Sequence, residues 1–337
     1  MSTEFDLKET ELTGLIGREA LERLSVLHEG EAWRAYRDTY DKASRLEVLT
    51  ERPLQLDFEL NATCNLKCPM CPISVESNKD KPRKDWFKFE TFCALIDEGV
   101  ANGLKAIKLN YINEPLMRKD LPDFISYAVK AGILDVYLST NAILLTEKYC
   151  RELVASGLHR IQISIDAFTE DTYQQVRPGG DLQTVIDNVQ LLKRVRDEMG
   201  SEFPLMRVNF VRTELNEHEL DDFVAFWQGQ IDMIGVQEMI KPPKSSREIK
   251  SATSRDKKKE GFRCSFPFKQ LVVNNEGWIL PCCTFYGEEL KLGNIKDMTI
   301  EEAWNCDQIN ELRRIHSEGR YEENPACKAC VEGAMIS

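Results

Sequence analysis

The sequence predicts an α/β protein: a parallel sheet of six strands with a helix between each pair, followed by a small module of different character. Three observations carry this prediction. Strand-like apolar runs alternate with runs of helical period from residue 54 to about residue 240. Gly103, Gly132, Gly157 and Gly200 stand just past helical runs, where helices commonly end in a left-handed residue. Six of the eleven cysteines lie beyond residue 263, where the alternation has stopped.

The first segment, from about Arg18 to Leu49, reads as helical, with Leu21, Leu24, Trp33, Tyr36 and Tyr40 spaced for one buried face; it is expected to pack on the main domain, and Pro53 closes it. The strands follow at Leu54–Leu60, Lys105–Asn110, Asp135–Ser139, Arg160–Ile165, Leu205–Val211 and Ile231–Met239. Helices are expected between them near Lys88–Asn102, Asp120–Ala131, Thr146–Ser156, Leu182–Met199 and Glu217–Gln228. Strands that each need a helical crossover pair in parallel, with right-handed connections. Periodicity fits an open or a curled sheet equally well. From Lys241 to Gly261 a stretch with Pro242-Pro243, serines and mixed charge reads as a linker or lid. Beyond it come a hairpin-like pair, Gln270–Asn274 and Trp278–Leu280, and a helix from about Ile300 to Ser317. The chain thus divides into an N-terminal helical segment (1–53), a core (54–241), a linker or lid (242–262) and a cysteine-rich module (263–337).

The formal charge of −12 argues against a phosphate-backbone binder, so no nucleic-acid partner is expected; the basic run Lys257-Lys258-Lys259 is bracketed by Asp256 and Glu260. No apolar stretch has membrane-spanning length, and the N-terminus lacks the basic-then-apolar pattern of a secretion signal, so a cytoplasmic protein without a membrane partner is expected. In such a reduced compartment, clustered cysteines point to metal before disulfides.

Cys64-Asn65-Leu66-Lys67-Cys68-Pro69-Met70-Cys71 follows the first core strand. Three thiolates supply three corners of a 4Fe-4S cubane, which takes four when fully ligated. One corner is thus left for a substrate or cofactor, as in catalytic metal sites. Three cysteines of a zinc or ordinary iron-sulfur site are the alternative. Cys264, Cys282, Cys327 and Cys330, with 17, 44 and 2 residues between them, form a complete set of four for a cluster or for structural zinc. Cys93, Cys150 and Cys306 fall in expected helices and read as small apolar packing residues. Cys283 sits beside Cys282 and has three readings: a ligand in its place, a hydrogen-atom donor, or packing.

The first cysteine run resembles the signature of the radical S-adenosylmethionine (SAM) superfamily. The array Cys264…Gly277-Trp278-Ile279-Leu280-Pro281-Cys282…Cys327-Lys328-Ala329-Cys330 resembles the shortened SPASM, or Twitch, auxiliary-cluster domain. Its separations are similar to those of the 2-deoxy-scyllo-inosamine dehydrogenases within that superfamily. The resemblance implies a partial (β/α)6 radical SAM barrel with a small C-terminal iron-sulfur domain, and chemistry at the C-terminal ends of the strands. It implies two 4Fe-4S clusters, one on Cys64, Cys68 and Cys71 that binds SAM, and one on Cys264, Cys282, Cys327 and Cys330. Asn113 and Glu114, in Asn110-Tyr111-Ile112-Asn113-Glu114-Pro115, stand where the family has Gly-Gly-Glu-Pro against the SAM amino group; Asn113 and Ile112 depart from the glycines. Met70 is implied at adenine, Ser139 and Asn141 at the ribose or carboxylate, Ser164 and Asp166 beside the ribose and methionine, and Arg177 at the carboxylate. Read singly, Ser139 and Asp166 are loop caps and Arg177 is a surface charge.

The implied function is reductive cleavage of SAM to a 5'-deoxyadenosyl radical that takes hydrogen from a small hydroxylated or amino-sugar-like molecule. The auxiliary cluster would accept the second electron, and a flavodoxin- or ferredoxin-like partner would donate the first. Arg247, Glu238 and Lys241 are the acid-base candidates. Alternatives are peptide modification, or epimerisation with Cys283 as hydrogen donor. The GTP-cyclising enzymes share a two-cluster layout, but end in Gly-Gly where this sequence ends Ala334-Met335-Ile336-Ser337, and leave an iron of the second cluster open. A metal-stapled electron-transfer protein is the non-enzymatic reading.

Overall fold

The computed structural model describes residues 13–28, 30–74, 87–242, 249–250 and 261–335. In chain order the strands are β1 (Thr13–Ile16), β2 (Gln55–Phe58), β3 (Ala106–Lys108), β4 (Asp135–Thr140), β5 (Arg160–Ser164), β6 (Leu205–Arg212), β7 (Met233–Glu238), β8 (Gln270–Val273), β9 (Trp278–Leu280) and β10 (Gly293–Asn294). The helices are α1 (Glu31–Ser44), α2 (Phe89–Ala101), α3 (Leu121–Lys130), α4 (Glu147–Ala155), α5 (Glu170–Val176), α6 (Leu182–Glu198), α7 (Leu220–Trp227), α8 (Ile300–Asn305), α9 (Asp307–Ser317) and α10 (Pro325–Met335).

All ten strands join one sheet in the order β1-β7-β6-β5-β4-β3-β2-β8-β9-β10. Strands β2 to β7, the six expected from the alternation, pair in parallel. Helix α4 starts at Thr146, whose side chain accepts the Tyr149 N–H, and α6 starts at Asp181, which caps Thr184 in the same way.

The two faces of the sheet differ chemically. One carries Leu56, Phe58, Ile107, Leu138, Ile163 and Phe210, all fully buried under the helices. The other carries Gln55, Asp57, Tyr137, Gln162 and Asn209, also buried but mostly polar. A parallel sheet covered by helices on both sides would be apolar on both faces. This one is curled, because residues near β7 and residues following β9 line one common cavity on the polar side.

The N-terminal segment packs on the core, as expected, but not as one helix. A 3-10 helix at Arg18–Val26 precedes α1, and β1 adds antiparallel to the free edge of β7. Leu24, Trp33, Tyr36 and Ala43 close the lower end of the sheet against Leu54, Ala106, Leu205 and Met233. In the C-terminal module the expected single helix is two. Thr299 and Glu302 form a reciprocal capping box that starts α8, and Cys306, extended at φ −69° and ψ 160°, separates it from α9. Strands β8 and β9 are the expected antiparallel pair, but β8 also pairs in parallel with β2 and so continues the core sheet. Among the described residues no helix is long and apolar enough to cross a membrane.

Candidate active site and auxiliary cysteine site

The C-terminal ends of the strands surround a cavity of about 410 Å3. Cys64, Cys68 and Cys71 lie on one wall, in the loop after β2. Two turn bonds coil this loop, Cys71 N–H to Cys68 carbonyl at 2.9 Å and Ser74 N–H to Cys71 carbonyl at 3.0 Å, and the Leu66 N–H points at the Cys64 sulfur at 3.4 Å. Burial raises all three thiol pKa values, Cys64 to about 11 and Cys71 to about 12. Metal would have to displace those protons, so binding and deprotonation are coupled.

Met70, Asn113, Glu114, Ser139, Asn141, Ser164, Asp166 and Arg177, the eight positions expected to meet SAM, all line this cavity. Glu114, 2 % exposed, ties the ends of β3 and β4 together. Its carboxylate accepts from the Thr140 hydroxyl (2.6 Å), the Asn141 N–H (2.8 Å) and the Leu116 N–H (3.0 Å). Asn113 fills the place of a glycine by bonding rather than by leaving room: its Oδ1 accepts the Tyr111 N–H and its Nδ2 donates to Asn61. Asn141 Nδ2 donates to Asn65 at 2.8 Å, inside the cysteine loop. Asp166 adopts φ 63° after β5 and accepts the Val211 N–H at 2.8 Å. Arg177 is no surface charge. It lies against Asp166, with Nε donating at 2.9 Å, and its Nη1 is 3.8 Å from the Cys68 sulfur.

A second cavity, of about 60 Å3, is lined by Cys264, Cys282, Cys327 and Cys330 in an apolar shell that includes Phe262, Pro281 and Val331. Cys327 and Cys330 project from α10, whose first N–H groups are capped by Asn324 Oδ1. His316 Nδ1 accepts the Cys264 N–H at 3.2 Å, and the Thr284 hydroxyl lies 3.6 and 3.7 Å from the sulfurs of Cys282 and Cys330. Gly287 allows the close approach here: a Cβ on it would lie 2.7 Å from the Cys282 carbonyl oxygen.

Cys282 and Cys283 part company. Cys282 faces the small cavity, while Cys283 lines the large one with the first cysteine set. Thr284 and Phe266 line both, so one layer of residues separates the two. Glu238 also lines the large cavity, with Oε1 accepting from Arg212 at 3.0 Å. Lys241 does not reach it; its main chain is held by Gly333 and Tyr286, and its side chain is exposed. Arg247 lies outside the described residues. Sequence reasoning missed Gln237, Phe266, Thr284 and Phe285 on the cavity wall. Thr284 was within reach of it, since it directly follows the cysteine pair.

Among the described residues no three His, Cys, Asp or Glu side chains converge closely enough to hold a single metal ion. A cubane takes one thiolate per iron, and three cysteines on one cavity and four on the other are donor sets that such clusters accept. The model of the radical SAM superfamily matches residues 58–222, and that of the SPASM iron-sulfur cluster-binding domain matches residues 264–331.

The chain belongs to the radical SAM superfamily.

S-adenosylmethionine and 4Fe-4S clusters are the cofactors that accompany its two domains. Among curated radical SAM relatives, the GTP 3',8-cyclase of Alkaliphilus oremlandii is 30% identical over 180 residues, 53% of this chain and 53% of the relative. The chain therefore matches about half the length of the curated relatives. The solved structure of BtrN in complex with AdoMet and 2-DOIA is 20% identical and covers 82% of this chain and 91% of its own, with a TM-score of 0.53. SuiB of Streptococcus suis bound to S-adenosylmethionine is 15% identical, with 89% and 77% covered and a TM-score of 0.65. Both share the fold of this radical SAM protein.

Proposed function

We propose that Cys64, Cys68 and Cys71 hold the SAM-binding cluster, that SAM lies across Met70, Asn113, Glu114, Ser139, Asn141, Ser164, Asp166 and Arg177, and that the chain oxidises a small hydroxylated or amino-sugar-like substrate in the same cavity. Bound there, cluster and SAM supply one-electron cleavage of the sulfonium to a 5'-deoxyadenosyl radical able to take hydrogen from an unactivated C–H bond. The protein's share is placement and exclusion of water. Asn113 and Glu114 face the amino group of SAM, and Arg177 its carboxylate, with Asp166 fixing the guanidinium. The substrate would lose a hydrogen atom, then a proton to an acceptor such as Glu238, and an electron that a cluster held by Cys264, Cys282, Cys327 and Cys330 would accept. A flavodoxin- or ferredoxin-like partner supplies the electron that starts each turnover.

The observation that carries this reading is the gathering of the three cysteines and the eight strand-end residues around one cavity. The complete second set of four thiols, in an apolar shell one residue layer away, favours electron transfer over substrate binding at a second open iron. That weighs against GTP cyclisation, the activity in the names of the curated relatives. The placement of Cys283 in the large cavity favours a second reading, epimerisation with Cys283 returning a hydrogen atom.

The test is anaerobic reconstitution, reduction with dithionite in the presence of SAM, and detection of 5'-deoxyadenosine; none is expected from an electron-transfer protein. Once a substrate is in hand, product analysis in deuterated water separates the two readings. A carbonyl product supports oxidation, and solvent deuterium at a carbon centre supports epimerisation through Cys283.

A further inference from the structure

Below the SAM cavity the inner faces of β5, β6 and β7 carry a group that the proposed chemistry does not use. Ser139, Gln162 and Arg207 form one register row across β4, β5 and β6. Ser139 lines the cavity. Its hydroxyl and the Arg207 Nη2 both donate to Gln162 Oε1 at 3.0 Å, so Arg207 is tied to the cavity wall through a single amide.

Arg207 differs from the other lumen arginine. Arg160, its neighbour, forms a two-pronged pair with Asp135 at 2.7 and 2.8 Å. Arg207 is matched by no carboxylate among the described residues, and its buried Nε has no hydrogen-bond partner. Burial and the nearby Arg160 charge depress its pKa to about 10, as an uncompensated cation requires. Asn209, 4 % exposed, lies beside it with its own Oδ1 unpartnered, an acceptor that would not contact an anion. Gly235 on β7 makes room for the pair: a Cβ there would lie 2.5 Å from Asn209 Oδ1 and 3.2 Å from Arg207 Nε. A half-buried cation kept without a counter-charge, with one donor unmet, costs stability that an anion can return.

Taking the radical SAM reading as its basis, we propose that Arg207 forms an anion subsite on the floor of the barrel, so that the substrate carries a carboxylate or phosphate group directed away from the SAM-facing end. A guanidinium offers its forked donors to either oxyanion.

The test uses the reconstituted holoprotein saturated with SAM, which fills the Arg177 site. Inorganic phosphate and, separately, acetate are titrated while the thermal midpoint is followed. At tenfold excess over its dissociation constant, the anion that fits should raise the wild-type midpoint by about 2–4 °C. Arg207→Met should abolish that response, be at least as stable as wild type without anion, and retain its iron. Arg207→Lys should keep a weakened response. A response to phosphate alone assigns a phosphoryl group, and a response to acetate alone a carboxylate. The proposal is overturned if neither anion moves the wild type, if Arg207→Met responds like wild type, or if Arg207→Met unfolds early, which would make the arginine structural. Release of 5'-deoxyadenosine is read in parallel. Its absence in the wild type refutes the radical SAM reading, whereas its presence without an anion response refutes only the subsite.

Discussion

Replacement of Cys282 and of Cys283, one at a time, discriminates most sharply between the roles proposed for the two cavities. The side chains are adjacent in sequence but lie in different cavities, so the two variants should differ in kind. Two 4Fe-4S clusters bring about eight irons per chain, four from each. Cys282→Ala removes one of four thiolates from an apolar shell that no fifth thiol lines, and the iron content should fall to about four. Cys283 cannot substitute without reversing the backbone between Pro281 and Thr284. Cys283→Ala should therefore retain about eight irons. It deletes only one sulfur from a cavity wall, at the small end of the range for truncations, about 1 kcal/mol or less. The assay is iron and sulfide content after anaerobic reconstitution, with the visible charge-transfer absorbance falling by about half in step with the iron. If Cys283→Ala drops to four irons while Cys282→Ala keeps eight, the ligand assignment is wrong by one residue and the two-cavity account with it.

Two further perturbations test the surroundings of the sites. Gly287→Ala would place a Cβ 2.7 Å from the Cys282 carbonyl oxygen; it should cost about 1–3 kcal/mol and release auxiliary iron first, leaving about four irons per chain. Retention of both clusters at an unchanged melting temperature would show that the turn yields freely. Asp57 is 1 % exposed, and burial raises its pKa to about 6 from the ordinary aspartate value. Between those two values the folded chain holds a proton that the unfolded chain has lost. This stabilisation is complete below about pH 4 and disappears as the pH rises through 6. Asp57→Asn lacks that titration, so its stability relative to wild type should improve by roughly 1 kcal/mol between pH 5 and pH 7.5, read from denaturant midpoints. Parallel pH profiles would refute the shift.

The sequence was most informative where chemistry and periodicity coincide. Six strands were legible because the first five apolar runs are each followed by a helical run and then a glycine, and residues placed at strand ends in a parallel sheet must converge at one rim. That is why Glu114, Asn141, Asp166 and Arg177 meet, although as many as 63 positions separate them. Strand β1 was not legible. It has four residues, includes a glycine, and pairs with β7 more than 200 positions away, so no local pattern marks it. Helix α10 escaped because its start depends on Asn324 as a cap rather than on an apolar stripe. The burial of Arg177 was hidden for another reason. An arginine before Pro-Gly reads as surface until Asp166, eleven residues earlier, is known to turn back toward it through a left-handed residue. The divergence of Cys282 and Cys283 turns on backbone direction after β9, which composition does not encode.

The pairing of β8 with β2 bears on how such a protein can change over time. Because the cysteine-rich module begins as a strand laid along β2, main-chain hydrogen bonds hold the spacing between the two cavities, and the connection at 242–262 does not set it. Changes of length or composition there, outside the docked Ile249 and Lys250, should leave the path an electron would travel undisturbed. The module itself is not free to be lost: its removal would bare the edge of β2, and an uncovered strand recruits whatever other strand it meets. Diversification should therefore be concentrated in the connecting segment and the lumen floor, while the seam between the two strands stays fixed.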